Sequence, residues 1–190
     1  RVEGNCSFPF VDVDNEFGMR QLAAHLIELG HTRIAYIAAP DDLMFAQFRK
    51  AGFINRLKEK GIDPDPNLIV EGDLTQQGGL IAATQLLELD DPPTAIAASN
   101  DLMAFGAISA ALKKGLRVGE DIAITGFDNV PQAEHYHPSL TTLHQPIYQI
   151  GAELCEMLIK GLRGDTLDYS SKLLKPTLMV RESCGGGLVS

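Results

Sequence analysis

The chain has 190 residues, 45% of them hydrophobic, with 16 Lys and Arg against 25 Asp and Glu for a net charge of −9. Such length and apolar content can bury a substantial core, in one domain or two small subdomains, and argue against disorder. The acidic balance has the wrong sign for a surface that neutralises phosphates, so DNA binding by this chain alone is not expected.

Taken in order, residues 1–9 are polar, and residues 10–13 form a short strand candidate ended by the acidic turn Asp12-Val13-Asp14-Asn15. Leu22, Leu26 and Leu29 recur at helical spacing, with Gly30 as the C-cap. Residues 34–39 read as a strand broken by Pro40, and residues 44–60 as a helix closed by Gly61. A strand at 68–70, a helix at 76–89 and a strand at 94–98 follow, with loops at Asp63-Pro64-Asp65-Pro66 and Asp90-Asp91-Pro92-Pro93. A helix starting after Ser99-Asn100-Asp101 runs to Lys113-Lys114, and a fifth strand is expected at 122–125. Connections of roughly 20 to 30 residues between strands point to βαβ crossovers, hence α/β architecture with open parallel sheets flanked by helices.

Beyond Gly126 the alternation loosens into a polar, histidine-bearing loop and a strand at 140–143. Pro146 then opens a long helix whose apolar stripe is Ile147, Ile150, Leu154, Cys155 and Leu158. Lys-Gly pairs at 60–61, 114–115 and 160–161 are read as helix ends, each joining a cation to a residue that tolerates positive φ. Residues 172–174 and 177–180 are closing strands, and the tail at Gly185-Gly186-Gly187 is expected to be flexible.

Three widely spaced cysteines without a CxxC pair indicate neither a zinc site nor a disulfide framework and fit a reducing compartment. Cys155 is expected in the core, Cys6 and Cys184 at the surface. No apolar run approaches the ~20 residues of a membrane span, and no signal-peptide layout opens the chain. The reading is a soluble cytoplasmic protein without membrane contact, although the start at Arg1 rather than Met leaves room for a removed segment.

The familiar hydrolase, metalloprotease and nucleotide fingerprints are absent, so no catalytic set, cofactor or metal is implied. His135-Tyr136-His137 offers two imidazoles in a polar loop without further ligands of definite geometry. Asn100 and Asp128, by contrast, both end parallel strands and should open into one crevice. An amide that donates and accepts beside a carboxylate that accepts suits neutral polyols. Ser99, Asn100 or Asp101 also has the chemistry of a helix cap. Arg49 lies near the apolar face of its helix and either snorkels to solvent or reaches over the crevice to a ligand.

Several ordered segments carry a family resemblance: HLIELGHTRIAYIAAP (25–40), FRKAGFINRL (48–57), IVEGDLTQQGG (69–79), the long run 92–129, HPSLTTLHQP (137–146) and MVRESC (179–184). With them the chain resembles the effector-binding domain of lactose-repressor-type (LacI/GalR) transcription regulators, a bilobed, type I periplasmic-binding-protein-like fold. The resemblance implies that Arg49, Asn100 and Asp128 contact an effector between two subdomains, the asparagine pointing to a sugar rather than a purine. Where the family often has a stacking aromatic after Glu71-Gly72-Asp73, this chain has Leu74, with Phe45 among the other candidates for apolar lining.

The same resemblance implies a truncated amino-terminal lobe and an absent DNA-binding headpiece. Residues 1–60 would be the remaining amino-terminal subdomain and crossover, 61–161 the carboxyl-terminal subdomain, and 162–190 the closing strands and tail. The helix after Asn100 is apolar on nearly every side, so a second face must be covered. A homodimer interface including Phe105, Ile108 and Tyr136 is the expected cover, another helix of the chain the alternative. The function implied is effector sensing in a sugar-responsive regulator, repressing in sense, that meets operator DNA through the missing headpiece. A periplasmic sugar-binding protein is the alternative, and a purine-responsive regulator a weaker one.

Overall fold

The computed structural model describes residues 9–163 and 171–186. In chain order its first half comprises β1 (Val11–Val13), α1 (Asn15–Glu28), β2 (Ile34–Ala38), α2 (Met44–Glu59), β3 (Ile69–Glu71) and α3 (Gln76–Leu87). The second half comprises β4 (Ala95–Ala98), α4 (Asp101–Lys113), β5 (Ala123–Thr125), α5 (Gln132–His135), β6 (Thr142–His144), α6 (Ile147–Arg163), β7 (Lys172–Leu174) and β8 (Thr177–Met179).

Strands β3, β2, β4 and β5, in that spatial order, form one parallel sheet. Both its faces are covered, and the period-2 alternation of each strand feeds two separate cores. Tyr36, Ala95, Ala97 and Ala123 meet Met19, Leu22, Leu26 and Phe53 of α1 and α2. Ile37, Ile96 and Ile124 meet Leu86, Met103 and Ile108 of α3 and α4 on the opposite face. At roughly 25 cal/mol per Å² of apolar surface removed from water, each of the large aliphatic and aromatic side chains contributes about 2 kcal/mol, the alanines less.

Small residues let the helices approach. A methyl group on Gly106 of α4 would stand 2.1 Å from the Gln76 carbonyl oxygen, and one on Gly79 of α3 would stand 2.2 Å from that of Met103. This close α3–α4 seam and the sheet cover most of the apolar residues of α4, leaving Leu102 and Leu112 exposed. Phe105 and Ile108, expected at a subunit interface, are buried within the chain itself, and Tyr136 stacks on Phe105 with ring centroids 4.3 Å apart.

Local chemistry sets the helix ends. Asp14, Thr75 and Asn100 cap α1, α3 and α4 by accepting from Phe17, Gly78 and Met103 amides. Gly61 and Gly115 follow α2 and α4 at φ +74° and +79°. The third Lys-Gly pair does not end its helix, because α6 continues through Gly161 to Arg163. The polar loop after Asp128 contains a short helix, α5, that the sequence pattern does not announce.

The remaining strands form two small pairs, β1 parallel to β7 and β6 antiparallel to β8. The sheet joins β2, from the segment expected in one subdomain, to β3, β4 and β5 of the next, so a division at residue 60 cuts through a continuous sheet. The apolar stripe of α6 is exposed, with Leu158 63% and Leu162 80% accessible, and Cys155 is exposed with it rather than in the core. Cys184 shows the opposite reversal. It is buried where a 3₁₀ turn (Glu182–Cys184) docks, its Sγ 3.2 Å from His25 Nε2 and 3.1 Å from Thr141 Oγ1. Burial pushes this thiol's pKa up, but the His25 and Thr141 hydrogen bonds outweigh it and the net shift is downward. Gly185, at φ +76°, closes that turn. Cys6 and Gly187 lie outside the described residues.

Candidate functional site

The β2–β3 connection runs to one side of β2 and the β3–β4 connection crosses back to its other side, and this reversal opens a crevice at the carboxyl ends of these strands. A cavity of about 350 Å³ lies there. All five residues expected to bind ligand line it: Arg49, Asn100, Asp128, Leu74 and Phe45. They arrive from separate elements, Phe45 and Arg49 from α2, Leu74 from the loop before α3, Asn100 from the end of β4 and Asp128 from beyond β5.

Arg49 is the centre of the arrangement. Its side chain is buried, with Nε donating to Asn15 Oδ1 at 2.8 Å and Nη1 donating to the Ser99 carbonyl. The guanidinium carbon sits 3.5 Å from the Phe127 ring centroid and 4.8 Å from that of Phe45, so cation–π attraction supplements those bonds. Burial pushes the pKa of Arg49 down and Asp128 pulls it back up, leaving a group that stays charged. The snorkelling alternative is thereby removed.

Asp128 is held by backbone at φ +126°, outside the usual range for a residue with a side chain. Leu74 is likewise left-handed at φ +67°. Two cavity-lining residues in costly conformations mark the crevice as a place where geometry is imposed by the surroundings. Burial raises the pKa of Asp128, opposed by Arg49 and by Gln145, whose Nε2 donates to Oδ1 at 2.5 Å.

Asn100 combines the two roles its sequence left open. Oδ1 accepts the Met103 amide at 2.9 Å as the cap of α4, and Nδ2 donates to the Leu74 carbonyl at 3.0 Å. It still faces the cavity, with one amide hydrogen and one lone pair beyond those bonds. Asp101 is not the cap. It is fully buried behind the crevice, accepting from Thr142 Oγ1 at 2.5 Å and the Val130 amide at 2.8 Å, and burial first of all pushes its pKa up to about 6.

The structure adds lining residues that the sequence pattern left unassigned: Asp12, Val13 and Asn15 around the end of β1, and Gln145 after β6. Their signal was positional, since Asp12-Val13-Asp14-Asn15 is itself a polar turn at a strand end. His135 and His137 do not join the crevice, and among the described residues no group of three or more His, Cys, Asp or Glu side chains could hold a metal ion. Among the described residues, too, no helix is long and apolar enough to cross a membrane.

Residues 23–184 match a family described as "Periplasmic binding protein-like domain". The chain is 39% identical over 175 residues to the HTH-type transcriptional repressor CytR of Escherichia coli (strain K12), covering 92% of this chain and 51% of that protein. It is 37% identical over 174 residues to the HTH-type transcriptional regulator CelR of Thermobifida fusca, with 92% and 51% covered. The chain thus spans about half the length of the curated relatives it matches. Among solved structures, a LacI-family regulatory protein from Chloroflexus aggregans superposes with a TM-score of 0.93 at 34% identity, over 96% of this chain and 66% of that one. A CelR–cellobiose complex superposes at 0.87 and 37% identity, over 93% and 54%. The chain belongs to the periplasmic-binding-protein-like domain family, in the form carried by LacI-family transcriptional regulators.

Proposed function

We propose that this chain is the effector-sensing domain of a sugar-responsive transcriptional repressor of the cytoplasm, and that a small carbohydrate is bound by Arg49, Asn100 and Asp128 with Leu74 and Phe45 as apolar lining. The observation that carries this reading is the Arg49–Asp128 ion pair, Nη2 to Oδ1 at 3.6 Å, set in the wall of the cavity. A ligand hydroxyl there accepts from the guanidinium and donates to the carboxylate, which is the pairing a neutral polyol offers and a purely apolar or anionic ligand does not. The CelR relative solved with cellobiose supports a carbohydrate as the ligand class.

The signalling step follows from where the lining comes from. Asp12 and Val13 belong to the β1–β7 pair, whereas Asn100 and Asp128 belong to the four-stranded sheet. A ligand touching both favours one angle between them, and it shifts the equilibrium by its differential affinity for the two arrangements. DNA contact is assigned to a headpiece outside these 190 residues, in keeping with the net charge of −9. Homodimerisation is proposed through the outer side of α4, where Leu102 and Leu112 are exposed and Tyr136 lies alongside, in place of the buried Phe105 and Ile108.

Thermal unfolding of the chain against mono- and disaccharides and purines tests the ligand. A sugar at 100 times its dissociation constant should stabilise by about 2.7 kcal/mol. A response to purines alone would overturn the sugar assignment.

A further inference from the structure

A second cavity, of about 450 Å³, lies between α1, α2 and β8 and shares no lining residue with the crevice. Its volume falls within the roughly 300–1,000 Å³ usual for small-molecule sites. Most of its lining comes from α1. Gly18, Met19, Leu22, Ala23 and Leu26 of that helix turn into the core, and the cavity is lined by positions 17, 20, 21, 24, 25 and 28, a second face related by steps of three and four. Phe17, Ala24 and Leu178 of β8 supply apolar walls, while Arg20, Glu28 and Arg56 of α2 supply charge.

The two guanidiniums share one carboxylate. Arg20 Nη2 donates to both Glu59 oxygens, at 2.7 and 2.8 Å, and Arg56 Nη1 reaches the second of them at 3.4 Å. Among the described residues Glu59 is the only side-chain acceptor that either arginine meets, and the buried Nε of Arg56 meets none. Lys175 brings a further cation beside the cavity, its Nζ 4.6 Å from the Phe17 ring centroid. Arg20, Arg56 and Lys175 set against Glu28 and Glu59 leave one positive charge over, in a chain whose net charge is −9.

We infer that this cavity is a second ligand site, for a small monocarboxylate with an apolar body, such as an aryl or branched aliphatic acid. Its carboxylate meets the planar forks of Arg20 and Arg56, for which Glu59 is the internal competitor. Its apolar body lies against Phe17, Ala24 and Leu178. The surplus positive charge balances a monoanion, whereas a dianion would leave net negative charge facing Glu28. The site is independent of the sugar reading, because none of its residues belongs to the crevice.

Titration calorimetry of the chain with benzoate and 3-methylbutanoate, set against benzamide and inorganic phosphate, tests this. Both acids should saturate one site with dissociation constants below roughly 10 mM, and benzamide and phosphate should bind about tenfold or more weakly than the acids. Arg56→Gln should weaken the acids about tenfold or more, and Glu59→Gln, which removes the competing carboxylate, should tighten them about fivefold or more. Thermal unfolding confirms that the variants fold, and if Arg56→Gln does not, Glu59→Gln alone decides. Failure of both acids to bind wild type and Glu59→Gln alike would overturn the site. An acid affinity that Arg56→Gln or Glu59→Gln leaves unmoved would do the same, since the acid would then be seated elsewhere. Benzamide binding as tightly as benzoate would overturn the charge assignment, and phosphate binding as tightly would overturn the apolar one.

Discussion

Arg49 and Asp128 face each other at 3.6 Å, the arginine side chain 6% exposed and the aspartate 30%, so the pair is coupled by charge while the carboxylate keeps part of its surface open. Removing either partner leaves the other poorly compensated. Asp128→Ala should destabilise the chain by about 1–3 kcal/mol, below the 3–5 kcal/mol of a fully buried pair because the carboxylate keeps contact with water. Arg49→Met should cost about 3 kcal/mol or more, since it also leaves Asn15 Oδ1 and the Ser99 carbonyl without their donor. Urea unfolding of the two single variants and the double variant gives the coupling, and a double variant equal to the sum of the singles would show that the two do not interact.

Asp101 gives stability a pH dependence of known sign. Burial raises its folded pKa to about 6, against hydrogen bonds from Thr142 and Val130, with the Asp128 charge adding to the rise and Arg181 opposing it. A carboxyl whose folded pKa lies above its unfolded value of 3.8 is more readily protonated in the native state, so its contribution worsens as pH rises from about 4 to about 6. The full swing is of order 3 kcal/mol. Carboxylates with lowered pKa values, such as Glu59, Asp73 and Asp121, act in the opposite direction over a more acid window. The comparison is therefore the difference between wild type and Asp101→Asn by urea unfolding from pH 4.5 to 7. Wild type should lose stability relative to the variant across this range, and a constant difference would exclude a raised pKa.

Gly106→Ala should be among the more damaging single methyl additions, because the new carbon would stand 2.1 Å from the Gln76 carbonyl and 2.4 Å from the Leu80 amide nitrogen, both backbone atoms. The helices must separate to admit it, at a cost of about 1–3 kcal/mol or more despite the better helix propensity of alanine. Gly151→Ala on α6, where a methyl meets nothing within 4 Å, is the control and should be neutral or slightly stabilising. Thermal unfolding of both variants checks the contrast, and equal effects at the two sites would contradict the close seam.

Much of this arrangement is legible in the residues. The strands of the central sheet are short apolar runs bounded by Gly, Pro and Asp, and the crossover lengths dictate parallel pairing, so the crevice and the meeting of Arg49, Asn100 and Asp128 follow from chain order. What sequence could not give was which surface an apolar stripe faces. The periodicities of α4 and α6 look alike in that respect, yet most of α4 is enclosed by its own sheet and by α3, with Leu102 and Leu112 left outside, whereas α6 lies exposed. Cys155 and Cys184 followed their elements in the same way. The 3₁₀ turn around Cys184 docks through Ser183 Oγ, which donates to the Ile124 carbonyl and accepts the Thr141 amide, and contacts made across some 40 to 60 positions leave no local pattern. Asn100 was readable as cap or ligand group, and only the free hydrogen and lone pair left by its two internal bonds show that both can hold.

The β1–β7 pair joins Val11 to Lys172 and Val13 to Leu174, closing a loop of nearly the whole chain. During synthesis the four-stranded sheet has all its strands by Thr125, long before the ribosome has made Lys172. Domains begin to fold as their segments emerge, and pairings of high sequence separation come last. Asp12 and Val13 thus precede the four-stranded sheet in synthesis but are seated only after Lys172–Leu174 has emerged, so the β1 wall of the crevice is completed later than the sheet that carries the opposite wall.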